Sequence, residues 1–291
     1  MSLSDSLQKL ASYRVNNSRA SQDVFKKGEA LLKAGKAPRD EEGWAFLEQL
    51  ALAAIDLDRL EVAEICLQKL ADKFPGSPRV DVLTGIRMEA TQGITPVLEY
   101  YNELLLQDPT NAAAWKRRIS VLRRARSVDK ATEELIEYLD TFYTDPEGWL
   151  ELADIYVSNR QYTSALQALS HALVLNPQNP FTFVQFAETA YSASDLPLAL
   201  KMFLLAIDMI ERDLDSPEST PPTGLAFRTW WGIKLSTRHL LEGGPSSPSN
   251  TSAPKNLKAL DVLATERILS AYKGKELEYQ RRLVEGWVVR K

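Results

Sequence analysis

The residue types that most often carry catalysis or bind metals are sparse in this sequence. There are two histidines, His171 and His239, and neither has a second histidine or a cysteine at ligand spacing. The single cysteine, Cys66, lies among apolar residues, so we interpret it as a buried structural thiol in a reducing compartment. Carboxylate pairs such as Glu133 and Glu134 lie on predicted helices without a histidine beside them, which indicates solvated surface.

Known catalytic and phosphate-binding motifs are also missing from the sequence. We find no glycine-rich phosphate loop, no nucleophile elbow and no zinc-protease motif. The sequence therefore predicts no catalytic residue, no cofactor-binding residue and no metal site. We expect a protein that is not an enzyme and needs no cofactor.

One stretch has an unusual charge. Seven basic residues stand against Asp129 alone in residues 116–130, here called the basic segment: Lys116, Arg117, Arg118, Arg123, Arg124, Arg126 and Lys130. These side chains could pair with acidic neighbours, or they could bind an acidic peptide, another subunit or anionic lipid headgroups. Our candidate partner-binding residues are Lys116, Arg117, Arg118, Arg123 and Arg124.

The elements that position this segment follow a period of 34 residues, the length of a tetratricopeptide repeat. Small or β-branched residues recur at Ala63, Val97, Ala131, Ala165 and Ala199. A large residue follows each of them four positions later, at Leu67, Tyr101, Leu135, Leu169 and Phe203. The first helix of each hairpin shows the same period at two positions. One holds large residues, Leu47, Trp115, Trp149 and Phe183, and the other holds small ones, Ala51, Gly85, Ala153 and Ala187. Leu152 and Tyr156 complete the predicted repeat core. Small residues let helices approach closely and large ones fill the space between them.

The predicted fold is an all-α tetratricopeptide-repeat solenoid, a right-handed superhelix of antiparallel helix pairs with capping helices at both ends. We expect the superhelix to be continuous from Trp44 to Ile210. Pro78, Pro146 and Pro180 should open helices at the first turn, where proline costs no hydrogen bond. If Trp149 is buried, its replacement by alanine should destabilise the fold by about 3–5 kcal/mol.

Three regions are predicted along the chain. Residues 1–43 form a short polar arm and one capping helix from about Ser21 to Ala34, with Gly35 as its stop signal. Residues 44–213 form five hairpins. Residues 214–291 contain a divergent sixth hairpin, a disordered Gly/Pro/Ser insert at 243–254 and a last polar helix.

Charge and hydropathy narrow the function classes. The 35 basic and 39 acidic residues nearly balance, so there is no overall electrostatic case for nucleic acid. The N-terminus does not resemble a secretory signal, and the most apolar stretch, 50–57, is about half the length of a membrane span. We therefore expect a cytosolic protein whose membrane association is indirect, through its partners.

Several particular stretches resemble a known family. They are Asp108-Pro-Thr-Asn111, Lys116-Arg-Arg118, Glu134-Leu-Ile-Glu-Tyr-Leu139, Asp145, Trp149-Leu-Glu-Leu-Ala-Asp-Ile-Tyr156 and Asn176-Pro177. Over about Leu104 to Leu205 the chain is similar to subunit 2 of the endoplasmic reticulum membrane protein complex. The resemblance implies a peripheral scaffold on the cytoplasmic face of the endoplasmic reticulum membrane. Its partners would be the other subunits, and the complex would insert transmembrane segments of new tail-anchored and multipass proteins without an energy source of its own.

Two other classes stay open at this stage. A cochaperone with these repeats would bind the acidic tail of a chaperone through lysine and asparagine on successive inner helices, but only the third repeat offers such cations here. An RNA-processing repeat scaffold would show aromatic residues interleaved with basic ones, and the basic segment lacks them.

Overall fold

A computed structural model of the chain describes residues 3–35, 41–212, 214–216, 219–243, 248–273 and 277–288. Within these ranges the chain forms fifteen α-helices and no β-strand, so the predicted all-α class is confirmed. The chain divides into two compact units, residues 1–138 (unit 1) and residues 139–291 (unit 2). None of the helices in the described ranges is both long and apolar enough to cross a bilayer.

The helices of unit 1 pack chiefly on neighbours along the chain. They are α1 (Leu3–Val15), α2 (Ser21–Lys33), α3 (Glu41–Asp56), α4 (Leu60–Lys73), α5 (Pro78–Thr91), α6 (Ile94–Gln107), α7 (Ala112–Arg124) and α8 (Val128–Thr141), whose last three residues belong to unit 2. Beyond these neighbours, α3 also packs on α5, and α5 on α7.

Unit 2 repeats the same arrangement of neighbouring helices. Its helices are α9 (Pro146–Ser158), α10 (Tyr162–Leu175), α11 (Pro180–Ser192), α12 (Leu196–Glu211), α13 (Gly224–Leu241), α14 (Leu257–Ser270) and α15 (Glu278–Val288). Helix α11 also packs on α13, so first helices of successive hairpins contact each other here too.

Helix starts reproduce the period found in the sequence. The second helices α4, α6, α8, α10 and α12 begin at residues 60, 94, 128, 162 and 196, each 34 residues after the one before. Pro78, Pro146 and Pro180 lie in the first turns of α5, α9 and α11, as predicted. Asn111 and Asn179 cap α7 and α11 through side-chain oxygens that accept a backbone N–H at 3.1 Å. Register is therefore fixed locally at each helix start.

The turn inside most hairpins has one repeated geometry. A residue in the left-handed conformation ends the first helix, and the next residue's N–H bonds to a carbonyl five positions back, the hydrogen bond of a Schellman motif. The left-handed residues are Asn17, Asp58, Arg126, Arg160 and Ser194, with φ between 48° and 64°. None is glycine, so each turn holds a conformation that L-residues adopt at a cost.

Most of the predicted repeat-core side chains are buried, and four are half-buried. The alanines 63, 131, 153, 165, 187 and 199 are buried, as are the larger residues Leu67, Leu135, Leu152, Leu169 and Phe203. The aromatic rings of Trp115, Trp149, Tyr156 and Phe183 are half-buried. Trp149 stacks on His171 at 4.2 Å between ring centroids and donates its indole N–H to Tyr143 O at 2.9 Å. Because Trp149 is not fully buried, replacing it by alanine should cost less than the 3–5 kcal/mol expected above.

The N-terminal region is more ordered than predicted. Where the sequence suggested a polar arm, α1 forms a hairpin with α2, which itself ends as predicted near Gly35. Leu10 is 1% exposed, and Leu7 and Tyr13 pack against the same cluster. Serine and charged residues between these apolar positions masked their helical spacing. The prediction of a polar arm is therefore wrong for the described residues, while residues 36–40 lie outside them.

Polar contacts tie α1 and α2 to the first predicted repeat. Gln49 accepts a hydrogen bond from Arg14 at 2.9 Å and donates one to Leu10 O at 3.2 Å. Arg19 binds the Asp56 carboxylate with both its Nε and Nη2 atoms, at 2.8 and 2.5 Å. This bidentate contact lowers the pKa of Asp56, so the carboxylate stays ionised to lower pH than a free aspartate does.

Two buried ion pairs hold the last hairpin of unit 2. Lys234 Nζ on α13 lies 2.7 Å from Asp261 Oδ1 on α14, and the lysine side chain is only 4% exposed. Arg267 on α14 lies 2.9 Å from Glu211 Oε1 on α12, which also accepts the Trp230 indole N–H at 3.0 Å. These pairs join the two helices of the predicted sixth hairpin to each other and to α12. Each buried charge is neutralised by its partner.

Part of the insert predicted to be disordered contacts the folded chain. Residues 248–256 form neither helix nor strand, but Ser249 N–H donates to Asp195 Oδ2 at 3.0 Å. The same carboxylate caps α12 through Leu198 N–H at 3.3 Å. Residues 244–247 of the insert lie outside the described residues, as do 213, 217 and 218 in the loop after α12.

Close helix packing gives a first prediction at Gly232. A Cβ at this buried position would fall well inside van der Waals contact with the Phe203 ring, which is 2% exposed. We expect Gly232→Ala to destabilise the protein by about 1–3 kcal/mol, the cost of overpacking, measured by urea unfolding.

Gly286 on α15 supplies the control, because a Cβ there meets nothing within 4 Å. Gly286→Ala should leave stability unchanged or raise it by up to about 1 kcal/mol, since alanine favours helix. Equal effects of the two substitutions would contradict this account of helix packing.

Candidate partner-binding site

The basic segment begins on α7, which contains no acidic residue. Ala114, Ile119, Val121 and Leu122 form the buried face of the helix. The basic residues therefore occupy its remaining sides, with Arg123 and Arg124 in the last turn, where positive charge interacts favourably with the helix dipole. Local sequence thus places the five candidate residues around the accessible perimeter of one helix.

Arg117 binds Glu89 of α5 in a bidentate pair. Its Nε and Nη2 atoms lie 2.8 and 2.6 Å from the two carboxylate oxygens, and the Glu89 side chain is 7% exposed. Tyr101 donates its hydroxyl to Glu89 Oε1 at 2.8 Å. Burial, and then this bond to Glu89, raises the pKa of the Tyr101 phenol, so it remains a donor. Arg117 therefore joins α5, α6 and α7 inside unit 1.

Arg118 is also engaged within the protein. Its Nε lies 2.7 Å from Glu134 Oε2 on α8, and its Nη1 donates to Asn102 Oδ1 on α6 at 2.7 Å. The guanidinium stands 4.7 Å from the centroid of the Trp115 ring. With 14% of its side chain exposed, Arg118 occupies a position between α6 and α8 that an apolar residue takes in other repeats.

Three candidate residues present their charge at the surface. Arg123 and Arg124 are exposed, and Lys116 is half-buried with its ammonium 6.0 Å from the Tyr138 ring centroid. Arg124 makes only long contacts with Glu89, 3.9 Å to Oε2 and 3.4 Å to its carbonyl. Of the five, Arg117 and Arg118 thus connect helices, whereas Lys116, Arg123 and Arg124 are more accessible to solvent or lie nearer the surface.

Sequence reasoning missed the acidic centre of this network and the cavity beside it. Glu89 lies 28 residues before Arg117, a spacing that the repeat does not predict. A cavity of about 480 Å³ in unit 1 is lined by four arginines. They are Arg14, Arg19, Arg79 and Arg117, and Arg19, Arg79 and Arg117 pair with Asp56, Glu48 and Glu89. Charge along the sequence gave no sign of these pairs, because their partners lie far apart in the chain.

The single cysteine and the two histidines of the chain contribute to packing and to hydrogen bonding within the fold. Burial raises the pKa of the Cys66 thiol to about 11, which matches the predicted inert thiol. His171 stacks on Trp149, and His239 Nδ1 lies 3.1 Å from the Tyr191 hydroxyl. Among the described residues, no group of three or more histidine, cysteine, aspartate or glutamate side chains could hold a metal ion.

Comparisons with known proteins identify the repeats and their relatives. Residues 50–199 match the family described as "EMC2 TPR-like repeat domain". Subunit 2 of the ER membrane protein complex from Xenopus tropicalis is 33% identical over 275 residues, which cover 92% of this chain and 86% of that protein. The TPR repeat protein oca3 of Schizosaccharomyces pombe is 30% identical over 255 residues, covering 86% and 85% of the two chains.

Solved structures with low sequence identity share the fold. The C-terminal part of a TPR repeat-containing protein from Cytophaga hutchinsonii superposes with a TM-score of 0.55 at 12% identity, covering 94% of this chain and 98% of that one. Pseudomonas aeruginosa pilF gives a TM-score of 0.51 at 17% identity, covering 83% and 97%. The predicted tetratricopeptide-repeat fold is confirmed.

The Glu89 network gives a second prediction. Replacing Arg117 by methionine keeps the apolar stem but leaves the buried Glu89 carboxylate without its bidentate partner. We expect Arg117→Met to lower the free energy of unfolding by about 1–3 kcal/mol, less than for a fully buried pair because Arg124 remains near. Urea unfolding measures the change.

The exposed Lys130 on α8 provides a control. Lys130→Met also removes one positive charge, and we expect a change within about 0.5 kcal/mol. If the two methionine variants unfold at the same urea concentration, Arg117 does not hold the helices together.

Proposed function

Because this chain belongs to the family of subunit 2 of the endoplasmic reticulum membrane protein complex, we propose that it is a non-catalytic scaffold subunit of such a complex. One observation carries this proposal: the similarity to a relative of that name extends over 92% of the chain. The match therefore extends well beyond residues 50–199, which match the repeat domain of the family.

Repeated hairpins suit a scaffold on physical grounds. Each hairpin packs chiefly on its neighbours, so every repeat leaves part of its surface available to other proteins. Large apolar side chains that remain exposed, such as Leu106 at 83% and Val174 at 80%, lie on this surface. Several partner segments can bind such a surface side by side, each too short to form a stable fold alone.

The proposed location is the cytosolic face of the endoplasmic reticulum membrane, where the protein associates through the cytosolic parts of membrane subunits. There it supports the energy-independent insertion of transmembrane segments into the bilayer by holding those subunits together. The name of the relatives supports association with the endoplasmic reticulum membrane, and the repeat fold favours a structural contribution.

The basic segment contributes an electrostatic docking surface to this scaffold. We assign docking to Lys116, Arg123 and Arg124, because Arg123 and Arg124 are exposed in the last turn of α7 and Lys116 lies two turns before Arg123 on the same helix. The complementary partner surface is acidic, such as the cytosolic tail of another subunit. Exposed charges of this kind mainly accelerate association and make it dependent on salt.

Acute removal of the protein from cells tests the scaffold. We expect the partner subunits to decline in amount, because their cytosolic tails lose the surface on which they order, and insertion of weakly hydrophobic segments to decline as a consequence. Quantitative mass spectrometry of the partners and a cell-free insertion assay provide the two measurements. If the remaining subunits stay assembled and fully active, the scaffold is excluded. Recovery of chaperones or RNA instead of membrane subunits in a detergent-extract pull-down would equally refute it.

Charge reversal tests the docking surface. The double variant Lys116→Glu with Arg123→Glu should associate with its partners several-fold more slowly at low ionic strength, and the difference should fade at high salt. Stopped-flow or surface-binding kinetics measure the rate. The control reverses two exposed lysines elsewhere, Lys69→Glu with Lys258→Glu, for an equal change in net charge. Equal association rates for the two variants at low salt would mean that the segment is only solvated surface.

A further inference from the structure

A groove of about 700 Å³ opens between the last three helices of unit 2. We call it the C-terminal groove, and among its lining residues are Lys234 and Leu241 of α13, Val262 of α14, Lys273 just after α14, and Arg281 and Val288 of α15. Helix α15 is held mainly at its C-terminal end. There Val288 is 2% exposed, the Trp287 ring lies 5.3 Å from that of Trp231, and Arg238 Nη1 donates to Trp287 O at 3.2 Å. Its volume is within the range of ligand-binding pockets and is far larger than one side chain would fill.

Apolar side chains line the groove and continue to its rim. Val288 is buried and Leu269 is half-buried. Leu241 and Val262 are 43% and 65% exposed. Apolar side chains exposed at the edge of a groove widen the surface beyond the cavity itself, which favours a chain segment over a compact small molecule.

Charges in the groove divide into a paired inner set and an unpaired outer set. Lys234 pairs with Asp261 at 2.7 Å, and Arg238 with Glu242 at 3.2 Å. By contrast, no ion pair is formed by Lys273, Arg281 or Glu266 in the part of the chain that the structure describes. Among the described lining residues, two cations without an ion pair therefore stand against one such carboxylate, which gives this part of the groove a positive excess.

We propose that the C-terminal groove binds an amphipathic helix of another protein, with apolar side chains against Leu241, Val262 and Leu269 and with carboxylates beside Lys273 and Arg281. Helices of this kind bind grooves through residues three or four positions apart on one face, and flanking charge selects among them. The inference rests on the proposed function, because a scaffold subunit has partner segments to hold.

Designed peptides test the groove on the purified full chain. A fluorescent helical peptide of about 18 residues carries leucine on one face and glutamate beside it. One comparison peptide has lysine in place of glutamate, and another has serine in place of leucine. We expect the leucine–glutamate peptide to bind at least tenfold more tightly than either, as measured by fluorescence anisotropy.

Matched variants locate the binding site. Val262→Ser should weaken binding of the leucine–glutamate peptide several-fold, whereas Leu263→Ser, at a neighbouring exposed residue outside the groove lining, should not. Lys273→Glu with Arg281→Glu should weaken it about tenfold, and more at low than at high salt. The pair Lys69→Glu with Lys258→Glu, which makes the same change in net charge away from the lining, should have no effect. All six positions are exposed, so the variants are expected to fold.

Three results would overturn the proposal. They are a leucine–glutamate peptide that binds no better than the serine peptide, binding that survives both groove variants, and preference for the lysine peptide. A fourth arm uses vesicles with and without phosphatidylserine. If the peptide fails and Lys273→Glu with Arg281→Glu abolishes binding to anionic vesicles, the groove binds lipid and the helix proposal is wrong.

These outcomes are separable from failure of the proposed function. Peptide binding is measured on the isolated protein, whereas scaffold function is measured by partner abundance in cells. A protein that binds the peptide but leaves the complex intact when removed would retain the groove assignment and lose the scaffold assignment. The opposite pair of results would retain the scaffold and exclude the groove.

Discussion

Close approach between a small residue on one helix and a large ring on the next sets the geometry of both units. At Gly85, a Cβ would lie 2.6 Å from the Tyr101 hydroxyl oxygen, and at Gly232 it would meet the Phe203 ring. Tyr101 and Phe203 are almost fully buried by this contact. Since dispersion attraction falls steeply with separation, helices spaced to enclose these rings cannot move apart without losing much of their packing. Within the repeats, the regular period keeps small residues such as Gly85 opposite their large partners, whereas Gly232 lies outside that period.

This dependence explains which parts of the fold could be predicted. Small and large columns, helix-opening prolines and a buried Cys66 are visible in sequence because each is a local pattern that the repeat multiplies. Helix α1 was hidden, since Leu7 and Leu10 share their turns with serine, glutamine and lysine. Its burial depends on contact with α2 and α3 that no local pattern encodes. That Trp149 is only half-buried likewise could not be predicted. Positions in the core and positions at the surface of the repeat recur with the same 34-residue spacing, and only contacts with neighbouring helices distinguish them.

The candidate site shows a second limit, which concerns charge. In sequence, the basic segment is a cluster with one acidic residue beside it. In the fold, its most embedded members meet carboxylates from other helices: Glu89 is contributed by α5 and Glu134 by α8. Net charge along a segment therefore overstates the charge that a partner meets, because pairing across helices depends on side-chain reach. The Arg267–Glu211 pair in unit 2, separated by 56 residues, follows the same rule.

The left-handed turns have a consequence for how the chain acquires its structure. Each of the five turns is completed by a hydrogen bond that reaches back only five residues, as from Gln161 N–H to Tyr156 O at 2.8 Å. Hairpins closed by such short-range bonds bring together residues close in sequence, which keeps contact order low, and low contact order accompanies fast folding. A hairpin can thus form as soon as its two helices have left the ribosome, before the next one is synthesised. Each hairpin then offers its successor a surface to pack on, which favours assembly in the order of translation.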